Sequence, residues 1–307
     1  MSGPASTMDI NGGRSLNPSE YLEPSSIEEA AGILDRFGAR ARIIAAGTDL
    51  LLENNTGIEV LVGIRGLGLE TIRVDGRGVA IGAGARFAAI ASHAALVEQP
   101  YQALAQAALT VGSPQIRNEA TIGGNLCSAV SCADGPPPLM VLDATLEVVG
   151  SDGERSVAID DFFEDARTNS LRPGEILRTI HLPKLPPRTA TAFIKQGRVR
   201  SGDIAVVNVA VRLTLDADDC CRNVRIALGA VAPTPMRARE AEAILEGRQA
   251  EDQLLQDVAI RAAEEIRPID DIRSSADHRR VLTRTLLYRA LKSTLADLNT
   301  TERNTGA

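Results

Sequence analysis

Tryptophan is absent from this chain of 307 residues, and five phenylalanines and three tyrosines supply all its aromatic surface. Stacking on nucleic-acid bases needs aromatic rings, and a net charge of -7 repels a phosphate backbone, so composition argues against nucleic acid as a partner. No apolar run approaches the roughly 18 residues of a membrane span. The amino terminus lacks a basic stretch followed by an apolar core, so the expected location is the cytoplasm. Cysteine is scarce too: Cys127, Cys132, Cys220 and Cys221 are too few for a disulfide scaffold, and neither pair has a CxxC spacing. Reduced thiols are expected, because iron–sulfur patterns need four thiolates at close spacings. HExxH, GxSxG and the P-loop lysine are all missing. His93, His181 and His278 lie far apart in the chain, and no residue is assigned a catalytic role.

What remains is ordinary globular material, 44% hydrophobic and 24% charged, long enough for two domains. Residues 1–13 carry no apolar period and read as a tail. Ile27, Ala30, Ala31, Leu34 and Phe37 then recur at helical spacing, with Ser25 or Ser26 before them and Gly38 after. Strand-like runs follow at 41–45, 58–62 and 79–82, and the Ala-rich stretch from Phe87 to Thr110 predicts two helices broken at Pro100. Leu139 to Val149 alternates loosely and leads through Gly150-Ser151-Asp152-Gly153, a hairpin turn, into Arg155–Ile159. Glu175–Leu182 is a further strand, and the proline cluster 183–187 marks a domain boundary. Beyond it, strand-like stretches at 192–196, 204–215 and 223–229 precede helical ones at 236–245, 253–266 and 277–295. That order predicts an α+β layer, a small antiparallel sheet covered by helices.

Two loops have the composition to carry chemistry. In Ala45-Ala46-Gly47-Thr48-Asp49, small residues let the backbone approach a diphosphate and Thr48 adds a hydroxyl; tight packing at a strand-to-helix turn explains the same residues. In Thr121-Ile122-Gly123-Gly124-Asn125, the paired glycines allow close approach between polar neighbours, or else form a hairpin turn. Asp134, in a loop of Cys, Gly and three prolines, is placed to accept sugar hydroxyls or simply to face solvent. Gly82-Ala83-Gly84-Ala85-Arg86-Phe87 has Phe87 where a dinucleotide fingerprint needs its third glycine, and reads as a strand end. Lys195, on the same face of its strand as Phe193, fits a snorkelling edge residue or a site residue.

Taken in order, these segments resemble the FAD-binding medium subunit of the molybdenum hydroxylases, the group that includes xanthine dehydrogenase and aerobic carbon monoxide dehydrogenase. The resemblance starts at Tyr21–Ala30, takes in the loops at 45–50 and 116–125 with Asp134, and continues through Gly174–Leu177, Phe193–Arg198 and Gly202–Ala205. It implies a vanillyl-alcohol-oxidase (PCMH) type FAD domain of two α+β subdomains over residues 14–186. A carboxy-terminal domain over 187–297, with a three-stranded antiparallel sheet and a helical bundle, and a tail at 298–307 would follow.

The same resemblance assigns the pyrophosphate of FAD to Ala45, Ala46, Gly47, Thr48 and Asp49, with Leu50 beside them, and to Thr121, Ile122, Gly123, Gly124 and Asn125. It gives Asp134 the ribityl or ribose hydroxyls, sets Leu177 beside the isoalloxazine ring and Lys195 near the flavin, and has Val111 line the cofactor. A nearby lysine would favour the anionic reduced flavin. Ala46 stands where relatives commonly carry Gly, and Cys127 and Cys132 where small residues are usual; with two cysteines and no inserted loop, no cluster is expected in this chain.

The function implied is electron transfer within a heterotrimer, expected as a dimer of heterotrimers. A large subunit would hold the molybdopterin cofactor, a small subunit two [2Fe-2S] clusters, and this FAD would pass electrons to NAD, a quinone, a carrier protein or dioxygen. Two other readings share the fold: a stand-alone flavin reductase resembling UDP-N-acetylenolpyruvoylglucosamine reductase, for which no general acid is found, and a scaffold subunit without turnover.

Overall fold

The computed structural model describes residues 18–52, 57–199 and 202–305. The chain builds three layers, each formed around its own sheet.

Glu20–Leu22, Val60–Gly63 and Ala41–Ile44 form a parallel sheet in that spatial order. Helix Ile27–Phe37 covers it because Ala30, Ala31 and Leu34 fall on one face. Ser26 caps the helix by accepting from Glu29 N, and Gly38, at a φ of 54°, ends it. The second sheet is antiparallel, in the order Ile72–Asp75, Gly78–Gly82, Ile176–Pro183, Thr145–Gly150 and Gly153–Ala158. The Ala-rich stretch forms three helices, Phe87–Ser92, Ala94–Val97 and Gln102–Thr110, instead of two. His93 makes the extra break: it leaves helical geometry and its imidazole caps the next segment through Ala95 N.

Leu139–Val149 divides differently from its alternation. Pro136–Val141 is a helix and only Thr145–Gly150 a strand. The three prolines that suggest a loop sit in the first helical turn, where a missing N–H costs nothing.

The carboxy-terminal sheet has four strands, Thr189–Gln196, Val207–Leu215, Cys221–Gly229 and Met236–Arg237, where three were expected. Met236–Arg237, read as the start of a helix, pairs with Ala227 and Leu228 before helix Arg239–Leu245 begins. Helix Ala276–Thr305 continues beyond Leu295, through most of the segment expected as a tail.

Every residue of Val207–Leu215 is buried, because both faces of its sheet are covered. Val209, Val211 and Leu213 pack with Leu255, Val258, Leu287 and Leu291 of the covering helices. Ala210 and Ala227 face the other way and join Phe87, Leu104 and Leu139 in the core of the amino-terminal half. Two acidic residues fasten this junction. Asp143 takes Arg212 at 2.6 Å and Arg225 at 2.9 Å, and Asp160 takes Arg237 at 3.0 Å and Arg239 at 2.8 Å.

Candidate functional site

The loop Ala45–Asp49 leaves the carboxyl end of a parallel strand, the usual place for a ligand in an α/β layer. Gly47 takes the left-handed turn there, with φ at 71°, and a Cβ on it would meet Leu51 Cδ1 at 2.7 Å. Ala46 does not have a positive φ, so alanine is accommodated where a glycine would otherwise be usual. Gly47 O accepts from Leu51 N at 3.1 Å and Asp49 O from Leu52 N at 2.9 Å, and these bonds curl the chain. Among the described residues, the N–H groups from Ala46 to Asp49 donate to no protein acceptor. A half-buried row of unengaged N–H groups suits an anionic diphosphate.

The second loop is a helix start and not a hairpin turn. Thr121 caps helix Ile122–Cys127, its Oγ1 accepting from Gly124 N at 3.1 Å. Its donors are largely spent on protein, since Ile122 N reaches Ala85 O at 3.0 Å and Gly123 N reaches Ala83 O at 2.8 Å. The segment 82–85 thus lies alongside this loop, and Gly123 is glycine for that contact: a Cβ would stand 2.6 Å from Ala83 O. Gly124 is different. It is exposed, and a Cβ there would meet only Thr121 Oγ1, at 3.0 Å. Asn125 Oδ1 accepts from Gly135 N at 3.1 Å and ties the loop to Asp134, while its Nδ2 has no protein partner among the described residues.

Asp134 is 6% exposed, far from the solvent-facing alternative. Its Oδ2 holds the Lys195 ammonium, and its Oδ1 accepts from Asn208 Nδ2 at 2.8 Å. Burial pushes the carboxyl above its ordinary value, and Lys195 and the Asn208 amide pull it back part of the way. Lys195 Nζ also donates to Thr110 O at 3.1 Å. Lys195 lies on an edge strand yet turns inward, on the side of Phe193, which packs in the core of the amino-terminal half. Beside it opens a cleft of about 330 Å³, lined by Thr110, Lys195, Gly197, Arg198 and Asp203.

Leu177 is buried at a bulge in strand Ile176–Pro183, and the neighbouring Arg178 O accepts from Ala83 N at 2.9 Å. It therefore belongs to the layer that supports Gly123. Val111 follows helix Gln102–Thr110, half-buried against the same core. Hydrogen bonds and shared packing thus connect Thr121–Asn125, Asp134, Lys195, Val111 and Leu177. The first loop joins them at one remove: Ile64 N donates to Ile44 O at the strand ends, and the adjacent Arg65 pairs with Glu119, just before the second loop.

Asn208 went unnoticed in the sequence, although one amide inside Ala205-Val206-Val207-Asn208-Val209-Ala210-Val211 was the available signal. The four cysteines are free thiols, and no group of three or more His, Cys, Asp or Glu is placed to hold a metal among the described residues.

The chain belongs to the FAD-binding subunits of the molybdopterin dehydrogenases, as an FAD-type oxidoreductase subunit: residues 15–185 match the family described as the FAD binding domain in molybdopterin dehydrogenase. Residues 192–294 match the CO dehydrogenase flavoprotein C-terminal domain. The carbon monoxide dehydrogenase medium chain of Afipia carboxidovorans is 34% identical, over 89% of this chain and 95% of that one. The 6-hydroxypseudooxynicotine dehydrogenase complex subunit alpha of Paenarthrobacter nicotinovorans is 32% identical, over 90% and 94%. A solved carbon monoxide dehydrogenase from Hydrogenophaga pseudoflava superposes with a TM-score of 0.87 at 31% identity, covering 92% of this chain and 98% of its counterpart.

Proposed function

We propose that this chain is the FAD-carrying electron-transfer subunit of a heterotrimeric molybdenum hydroxylase. It would accept electrons from a small iron–sulfur subunit served by a large molybdopterin subunit, and pass them to an external acceptor. The observation that carries this reading is the pairing of an N–H row at Ala46–Asp49, unengaged among the described residues, with a buried Asp134–Lys195 pair beside an open cleft. Relatives named as medium chains or as subunits of dehydrogenase complexes support the assembly. The four free thiols support a reducing, cytoplasmic setting, and no helix among the described residues is long and apolar enough to cross a membrane.

In this reading Ala45–Leu50 take the pyrophosphate with their backbone. Thr121–Asn125 shape the opposite wall, through the Asn125 amide and the bare backbone at Gly124. Asp134 orients sugar hydroxyls while neutralising Lys195, Val111 and Leu177 contribute apolar surface, and Lys195 offers a positive charge at the cleft. FAD, when bound, supplies the redox chemistry, and the polypeptide supplies binding and tuning. The trimer pairs into a dimer of heterotrimers, and NAD, a quinone, a carrier protein or dioxygen serves as acceptor.

Purification of the tagged chain from its native host tests the proposal. Co-purifying large and small subunits, a flavin absorption spectrum, and flavin reduction on adding substrate of the complex are expected. A chain recovered alone and colourless would refute it.

A further inference from the structure

Lys195, Asn208 and Gly229 stand opposite one another on three adjacent strands of the carboxy-terminal sheet. This row grips one loop of the FAD-type half. Asn208 Nδ2 donates to Ala133 O at 3.2 Å and to Asp134 Oδ1 at 2.8 Å, and Lys195 holds Asp134 Oδ2. Next to Gly229, Ala230 N donates to Ser131 O at 2.7 Å. Behind the row, the buried Arg279 of the last helix donates to Val206 O at 2.6 Å and to Ala230 O at 2.9 Å, bracing two of the three strands.

Asn208 is fully buried, and its Oδ1 has no hydrogen-bond partner among the described residues. An unpaired buried amide oxygen is destabilising, and an aliphatic side chain would suit this apolar strand. What the amide contributes is its nitrogen, directed at Asp134. Gly229 makes the orientation feasible, since a Cβ there would lie 2.1 Å from Asn208 Oδ1 and 3.1 Å from Ser131 O.

We infer that Asn208, seated over Gly229, is a positioning residue for the FAD site: it holds one oxygen of Asp134, leaves the other to Lys195, and so fixes the ammonium at the cleft. The inference rests on the FAD reading above. Without the amide donor Asp134 retains its negative charge less readily, and the Lys195 charge is less well compensated.

The test uses the full-length chain with FAD, reading flavin affinity by fluorescence titration and the flavin midpoint potential by spectroelectrochemistry. Asn208→Leu is expected to weaken FAD binding about tenfold or more and to raise the potential. Gly229→Ala should weaken binding as Asn208→Ala does. The pair Asn208→Ala with Gly229→Ala should lose less than the sum of the two single losses, because no Oδ1 remains to collide and only the 3.1 Å approach to Ser131 O persists. Wild type that binds FAD beside variants within twofold in affinity and unchanged in potential overturns this inference alone, as do additive losses in the double variant. Wild type that binds no FAD overturns the functional reading as well.

Discussion

Replacing Asp134 with Asn changes no volume, yet it removes the counter-charge of an ammonium that has little water to fall back on. The Lys195 side chain is 9% exposed and that of Asp134 7%. Breaking a buried ion pair from one side costs about 3–5 kcal/mol, because the remaining charge is left desolvated. Asp134→Asn and Lys195→Met should each destabilise the apoprotein by roughly that amount. Together they should cost at least about 2 kcal/mol less than the sum of the two, since neither charge is then stranded. Urea unfolding of the four proteins measures the cycle. Additive losses, or an Asp134→Asn cost under about 1 kcal/mol as for a solvated surface pair, would refute the reasoning.

The two glycines of the second loop should behave differently. Gly123→Ala forces a Cβ against Ala83 O and should cost about 1–3 kcal/mol in urea, whereas Gly124→Ala should unfold like wild type and report on FAD affinity alone. Gly47→Ala, strained at a φ of 71° and crowded by Leu51, should lower stability by about 1–2 kcal/mol and FAD retention on gel filtration more sharply than Ala46→Gly, which should change both little. Asp143→Ala strands Arg212, whose side chain is 3% exposed, and should cost about 2–3 kcal/mol. Burial alone would raise the Asp143 carboxyl, but Arg212 and Arg225 outweigh it and hold it below its ordinary value. Its contribution is therefore present above the unfolded pKa and lost as pH falls through the folded one, which acid titration of wild type against Asp143→Ala reads. Burial pushes the Cys221 thiol up to about 12, so alkylation near pH 8, followed by mass spectrometry, should mark the partly exposed Cys220 well before Cys221.

Local pattern alone determined a large share of this protein. The spacing of Ala30, Ala31 and Leu34 between Ser26 and Gly38 specified a helix without tertiary help, because cap chemistry and amphipathic period agree there. The strand runs beyond the proline cluster were legible from their alternation, and the ordered motifs pointed to FAD. Tertiary structure decided the rest. The two-residue strand Met236–Arg237 is too short for any period and exists only because Cys221–Gly229 presents it an edge. Pro136–Pro138 looked like loop material, since sequence cannot show that a helix starts beneath them. At the site, both loops had suitable composition, but which N–H groups remain available depends on what packs alongside. Ala83 and Ala85 consume the donors of Ile122 and Gly123, some forty residues away in sequence, while those of Ala46–Asp49 meet no protein acceptor among the described residues. Asp134 and Lys195 were nameable one at a time. That they neutralise each other out of water, under an amide seated on a glycine, arises only where three strands and a distant loop converge, because burial and pairing are properties of the assembled fold.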